Sequence, residues 1–364
     1  MKPFRSNRAA TTVLRGLAVA VLALGLLAGG GAAPAAAASQ VNLTGAGATF
    51  PYPIYSKWFD MYHKKTGTQI NYQSIGSGGG IQQVKAGTVD FGASDAPLNN
   101  QRLKEMPRPV VHFPTVAGAV VLAYNLPSVK EPLKMTPEIV AGIYLGKIKM
   151  WNDKAIAAAN PGVALPGQPI LPVHRSDGSG TTYIFVSYLA AVSSQWKELV
   201  GVNTSVSWPV GIGGKGNEGV SGLVRQTPGA VGYVELAYAK QNNFAVAHLK
   251  NKAGNFIEPT LASTTAAANG AAAALAKDVR SPIVNSPDPN AYPISGLTFL
   301  LVYKDQKDAA KGKALVDFIQ WSISEGQEAA DELDYARLPE SVVKVNQANL
   351  MSLTAAGKPL VAKR

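Results

Sequence analysis

Val116-Ala-Gly-Ala-Val-Val-Leu-Ala-Tyr124 is the longest apolar run after Ser39. It is too short for a membrane span, which needs about 20 residues, and its β-branched, apolar content predicts a buried strand. Other strand patterns lie on either side of it. Gln69 to Gln73 alternates polar and apolar, and Ala230 to Val234 and Leu297 to Tyr303 repeat the apolar pattern. Helical patterns fall between them. Ile54, Trp58, Phe59 and Tyr62 share one face of a helix beginning near Pro51. Thr136-Pro137-Glu138 supplies an N-cap, a first-turn proline and an acid ahead of Ile139 and Ile143. Phe185 and Leu189 continue a helix that starts close to Ser179, and Leu315, Phe318, Ile319 and Ile323 form another stripe. Such stripes read as core. Strands alternating with helices predict an α/β protein. Thr264 to Ala276 is Ala-rich and uncharged, and reads as an exposed helix or a loose surface insertion.

The N-terminus sets the expected compartment. Lys2, Arg5, Arg8 and Arg15 form a basic stretch without an acid, Gly16 to Leu27 is a short apolar run, and Ala32 to Ala38 is a small-residue stretch. That order is a secretory signal peptide, with cleavage expected after Ala38. The sequence has no cysteine. Stability must therefore come from the core, which the remaining length of about 325 residues and two domains can supply. Lipid attachment at the cleavage site is also excluded, so a free periplasmic protein is expected. The 364 residues carry a formal charge of +11, and removing the four basic signal residues leaves +7. The remaining basic residues are scattered without interleaved aromatics, so no nucleic-acid partner is expected. A mild positive field helps to gather small anions.

Three glycine-rich stretches carry the chemistry. They are Gly45-Ala-Gly-Ala-Thr-Phe50, Gly76-Ser-Gly-Gly-Gly80 and Arg175-Ser-Asp-Gly-Ser-Gly-Thr-Thr182, each followed by a helical pattern. A helix N-terminus presents unpaired N–H groups and about half a positive charge. Glycines let the backbone approach an oxyanion closely, and Ser and Thr hydroxyls add donors. Gly45-x-Gly47 lacks the third glycine of a dinucleotide fingerprint, Gly214-Lys215-Gly216 lacks the hydroxyl residue of a P-loop, and Gly178-Ser179-Gly180 is not a nucleophile elbow. His63, His112, His174 and His248 show no i, i+4 pairing, so neither a metal nor another cofactor is expected. His174, beside Arg175, reads as structural.

The order and separation of Thr44-Gly-Ala-Gly-Ala-Thr-Phe-Pro51, Ile75-Gly-Ser-Gly-Gly-Gly80, Val89-Asp-Phe-Gly-Ala-Ser-Asp95 and Arg175-Ser-Asp-Gly-Ser-Gly-Thr181 carry a resemblance. Ile143-Tyr-Leu-Gly-Lys-Ile-Lys149, Trp208-Pro-Val-Gly-Ile-Gly-Gly-Lys-Gly-Asn217, Gly229-Ala-Val-Gly-Tyr-Val-Glu235 and Leu333-Asp-Tyr-Ala336 extend it over essentially the whole mature chain. Together they resemble the periplasmic phosphate-binding proteins of the bacterial ABC-type phosphate importer. The resemblance implies a two-lobed α/β periplasmic-binding-protein fold of type II. Its ligand lies in the cleft between the lobes, which two crossover hinge strands join near Val116 to Tyr124 and Leu297 to Tyr303. Residues 39–120 and 298–364 then form the first lobe and 121–297 the second. The implied phosphate-binding residues are Thr49, Phe50 through its backbone N–H, Ser77 and Asp95 from the first lobe. Arg175, Ser179, Gly180 and Thr181 come from the second, with Asp177 supporting Arg175. Gly78 stands where many relatives have a serine, which removes an accessory hydroxyl. The implied role is a monomeric, non-enzymatic receptor that hands phosphate to a permease and ATPase complex in the inner membrane.

Asp95 implies a basis for selectivity. An ionised carboxylate only accepts hydrogen bonds, and a carboxylate facing an anion repels it unless that anion brings a proton. Hydrogen phosphate and dihydrogen phosphate carry an O–H, whereas sulfate at neutral pH does not. Three other readings remain open from the residues: a phosphoryl-transfer enzyme, a receptor for sulfate or molybdate, and a surface adhesin.

Overall fold

The computed structural model describes residues 41–361. The signal-peptide reading of residues 1–38 lies outside them. The chain opens with β1 (Asn42–Gly47), α1 (Tyr52–Thr66), β2 (Gln69–Ser74), α2 (Ser77–Ala86) and β3 (Phe91–Ser94). In α1 the residues Ile54, Tyr55, Trp58, Phe59 and Tyr62 are buried, and the helix ends where Gly67 takes a left-handed conformation. Lys64 and Lys65 sit in its last turn, where positive charge is favourable to the helix dipole. The indole N–H of Trp58 donates to Gly326 O at 2.6 Å, so this fully buried ring leaves no donor unpaired.

The central strand β4 runs from Val110 to Tyr124 and is buried from His112 onward. It is longer than the sequence predicts, because Pro114 looks like a strand breaker. Pro114 has no N–H to give, and here the ladder shifts register: Thr298 pairs with Val116 and Phe299 with Pro114, leaving Thr115 as the extra residue of a bulge. The released Thr115 hydroxyl lies 2.9 Å from the Tyr55 hydroxyl, and the Pro114 carbonyl accepts from Asn346 Nδ2 at 2.8 Å.

After α3 (Pro137–Tyr144) come β5 (Leu171–Arg175), α4 (Gly180–Val192), β6 (Ile212–Gly214), α5 (Gly216–Gln226), β7 (Ala230–Glu235) and α6 (Leu236–Gln241). The Thr136 cap, the first-turn Pro137 and Glu138 are all in place at the start of α3. The chain then runs through α7 (Leu261–Gly270), β8 (Ser295–Tyr303), α8 (Ala309–Ser322) and α9 (Glu340–Met351). The Ala-rich stretch departs from its exposed or loose expectation in its first part, while Asn269, Gly270, Ala273, Ala274 and Ala276 are exposed. Thr260 and Ser263 close a capping box, and Thr264, Ala267 and Ala268 are buried as α7 packs against β4 and β8. Small side chains let that helix approach the sheet closely, and they leave no large-residue stripe to read in the sequence.

The main sheet has the order β2-β1-β3-β8-β4-β7-β5-β6. β1 is parallel to β2 and β3, and β5 is parallel to β6 and β7. β8 is antiparallel to both β3 and β4. β4 belongs to both halves: Val110 to Ala119 pair with β8, and Val120 to Tyr124 pair with β7. The carboxyl ends of β1, β3 and β5 come together where the two halves meet, which is where open α/β sheets present their ligand sites.

Candidate anion-binding site

Three helices begin at this junction. Ser77 opens α2, Ser179 caps α4 before Gly180, and Gly216 and Asn217 open α5. Gly76, with φ +83°, turns the chain into α2, and a Cβ there would lie 2.2 Å from Asp177 Oδ2. Only glycine allows the second loop to approach the third this closely. The Gly78 N–H then donates to Gly178 O at 2.8 Å.

Ser77 is fully buried, and its Oγ accepts from the Asp95 N–H at 3.2 Å and from the Gly180 N–H at 3.0 Å. A Cβ on Gly180 would lie 2.4 Å from Asp95 Oδ2 and 2.5 Å from Ser77 Oγ. Ser179 Oγ accepts from the Thr182 N–H at 3.0 Å, and its own N–H donates to Thr204 O. Two of the predicted groups, Ser77 and Asp95, therefore meet the first turn of α4 directly.

Arg175 ends β5 with its side chain almost fully enclosed. Nε donates to Asp177 Oδ1 at 2.8 Å and an Nη donates to Asp177 Oδ2 at 2.6 Å, a two-pronged pair. The other Nη donates to Thr181 Oγ1 at 3.3 Å. Burial raises the pKa of Asp177, but the bonds and charge of Arg175, with the Gly216 N–H at 3.0 Å, outweigh it and hold the carboxyl below its ordinary value.

Asp95 follows β3 and is buried, with Oδ1 lacking any hydrogen-bond partner. Burial pushes its pKa up to about 7, against the pull of the Thr298 hydroxyl and the Arg175 charge. A buried carboxyl with a free acceptor, close to a cation and to helix N-termini, is an unsatisfied arrangement until something supplies a donor.

Thr49 and Phe50 lie just beyond β1. The Phe50 ring turns away to an edge contact with Tyr335, whose hydroxyl donates to Phe50 O at 2.6 Å. That side chain is core, and only the Phe50 backbone is placed near the junction. Thr49 Oγ1 accepts from the Asn217 amide Nδ2 at 2.7 Å, and the Tyr238 hydroxyl donates to Thr49 O at 2.6 Å. All the predicted residues thus gather at one junction, and hydrogen bonds link the side chains of Thr49, Ser77, Arg175, Asp177 and Thr181 to one another or to the N-termini of α4 and α5.

The sequence reading did not single out Asn217, Glu235, Tyr233, Tyr238 or Tyr335. Asn217 had a signal: Gly214-Lys-Gly-Asn217 fails as a P-loop and is nonetheless a fourth loop-to-helix start. The tyrosines and Glu235 carry no such signal, because their hydroxyls and carboxyl reach the junction only through the fold. His174 stacks on Trp208 at 4.8 Å, and its Nδ1 lies 3.1 Å from Arg175 O, which is a structural placement. His112 accepts the Leu98 N–H at 2.9 Å, and burial lowers its pKa to about 4, so it stays neutral. Among the described residues no cluster of three or more His, Asp or Glu is positioned to hold a metal ion.

Residues 32–325 match the family model described as a PBP superfamily domain. This is the class that a two-part sheet sharing one strand, with its polar residues at the junction, defines. A protein of Xylella fastidiosa (strain 9a5c) named Phosphate-binding protein PstS is 50% identical over 311 residues, covering 85% of each chain. Another of that name from Pasteurella multocida (strain Pm70) is 48% identical over 308 residues, covering 84% of this chain and 89% of the relative. The chain belongs to this PstS family of the PBP superfamily. A crystal structure of a phosphate binding protein from Stenotrophomonas maltophilia, 20% identical, superposes with a TM-score of 0.65 over 85% of this chain and 93% of that one, a likeness of fold.

Proposed function

We propose that this protein is a receptor that binds one inorganic phosphate at the junction and delivers it to an ABC-type import permease. The observation that carries this reading is the meeting of the α2 and α4 N-termini with Arg175 over the buried, partly unpartnered Asp95. Donors and a cation suit the oxyanion, and one acceptor suits its remaining proton. The names of the relatives support the same ligand. Thr49, the Phe50 N–H, Ser77, Asp95, Arg175, Ser179, Gly180 and Thr181 are the proposed ligand groups, with Asp177 holding Arg175.

The proposed lobes are residues 39–120 with 298–364, and 121–297. The exchange of β4 partners between Ala119 and Val120 supports the first boundary. β4 and β8 would act as the connecting strands, and ligand bound between lobes would favour their closed arrangement. Export to the periplasm through residues 1–38, a monomeric state and a receptor role without catalysis complete the reading. Among the described residues no helix is long and apolar enough to cross a membrane.

Calorimetric titration of the exported chain tests it. Tight one-to-one phosphate binding with no sulfate heat is expected, and Asp95→Asn should weaken phosphate or admit sulfate. A folded sample that takes no phosphate overturns the proposal.

A further inference from the structure

Asn217 stands at the centre of the hydrogen-bond network although no reading of the sequence assigns it a role. It is fully buried in the first turn of α5. Its Oδ1 accepts the Glu235 N–H at 3.0 Å. A backbone N–H can only donate, so the amide orientation is fixed by chemistry, and Nδ2 must face the other way. Nδ2 donates to Thr49 Oγ1 at 2.7 Å and to Thr181 Oγ1 at 3.2 Å. One amide thus spends one hydrogen on each of two threonines that lie 132 positions apart in the sequence.

Both hydroxyls receive a second donor as well. The Asn217 N–H reaches Thr49 Oγ1 at 3.2 Å, and Arg175 reaches Thr181 Oγ1 at 3.3 Å. A hydroxyl has two acceptor lone pairs and one hydrogen. With both lone pairs filled, each threonine keeps only its hydrogen to offer. We propose that Asn217 is a positioning residue that sets the Thr49 and Thr181 hydroxyls as donors. They then serve only ligand oxygens that accept, and any O–H of the ligand is directed to Asp95. This extends the phosphate reading and rests on it. It makes specificity a matter of where the ligand proton sits, with one acceptor in the site and donors opposite.

The test is calorimetric titration of the exported chain with inorganic phosphate, with wild type run first. Wild type that fails to bind sinks the phosphate reading itself, so that failure is distinct from a failure of the Asn217 role. With wild type binding, Asn217→Ala should weaken phosphate about tenfold or more. In a Thr49→Val or Thr181→Val background the same change should cost clearly less, because the hydroxyl it acts through is gone. Asn217→Asp keeps the shape and guards against a variant that does not fold. Its carboxylate accepts where the amide donated, so it should turn both hydroxyl hydrogens away from the ligand and weaken phosphate more than Asn217→Ala. An Asn217→Ala loss that is equal in all backgrounds, or an Asn217→Asp variant milder than Asn217→Ala, would show a role in shape alone and overturn the inference.

Discussion

The Gly180 N–H donates to Ser77 Oγ over 3.0 Å, joining the first turn of α4 to the first residue of α2. Two helix N-termini separated by 103 residues in the sequence therefore share one hydroxyl. That contact leaves no room for a side chain at position 180, where a Cβ would lie 2.4 Å from Asp95 Oδ2. Gly180→Ala is expected to weaken phosphate binding by roughly ten- to a hundredfold, the scale of forced overpacking. In an exposed helix the same exchange stabilises. Titration with phosphate, with circular dichroism to confirm the helices, checks it, and an unchanged affinity would show that the two loops do not need this approach.

Asp177 holds the buried guanidinium of Arg175 on both prongs. Asp177→Asn removes the counter-charge and should cost about 1–3 kcal/mol of stability in phosphate-free buffer. That is less than the loss for a fully buried pair, because the Asp177 side chain is 14% exposed. Phosphate supplies a replacement anion for Arg175. Thermal melts should therefore show the gap between variant and wild type narrowing as phosphate is added; a constant gap would place Arg175 away from the ligand.

Asp95 gives the protein a pH dependence of known sign. Burial raises its folded pKa to about 7 from an ordinary 3.8, so its contribution to stability is present below the ordinary value and lost as pH rises through about 7. Phosphate-free wild type should lose stability over that window relative to Asp95→Asn. Selectivity follows the same titration. Protonated Asp95 carries an O–H to donate, so sulfate should compete at about pH 5.5 and fail at about pH 8.5. Competition that is flat with pH would remove Asp95 from the discrimination.

Glu235 lies where β4 changes partners, fully buried, with Oε2 2.9 Å from the Tyr335 hydroxyl, whose hydrogen goes to Phe50 O, and accepting from the Ala237 N–H at 2.9 Å. Burial pushes its pKa well above the carboxylate range, so the neutral acid is the favoured form. Its stabilising contribution is complete below the unfolded pKa and fades as pH rises toward the folded one. Glu235→Gln, neutral and isosteric, should therefore sit within about 1 kcal/mol of wild type at acid pH and gain on it as pH rises. Tyr335→Phe, which strips the bonds to both Phe50 O and Glu235, should cost about 1–3 kcal/mol at every pH. Chemical denaturation across pH measures both. A Glu235→Gln difference independent of pH would mean that the carboxyl titrates in the folded protein as it does in the unfolded chain.

Local sequence was enough for the α/β class, the helix starts at Thr136 and Ser179, the buried central strand and the loop residues of the candidate site. Side-chain period, capping chemistry and glycine spacing act within a few residues, and an ordered set of motifs carries a family resemblance. Pro114 hid the first part of β4 because a proline inside a strand is tolerated only where a bulge on the same ladder absorbs its missing N–H. The packing of α7 was hidden because alanines bury little area each. Tertiary packing alone made β4 serve both halves of the sheet, took the water from Asp95 and shifted its pKa, and turned Asn217 toward Thr49 and Thr181 together. Those outcomes depend on burial and on contacts between residues far apart in the chain, and neither is written in any short stretch of it.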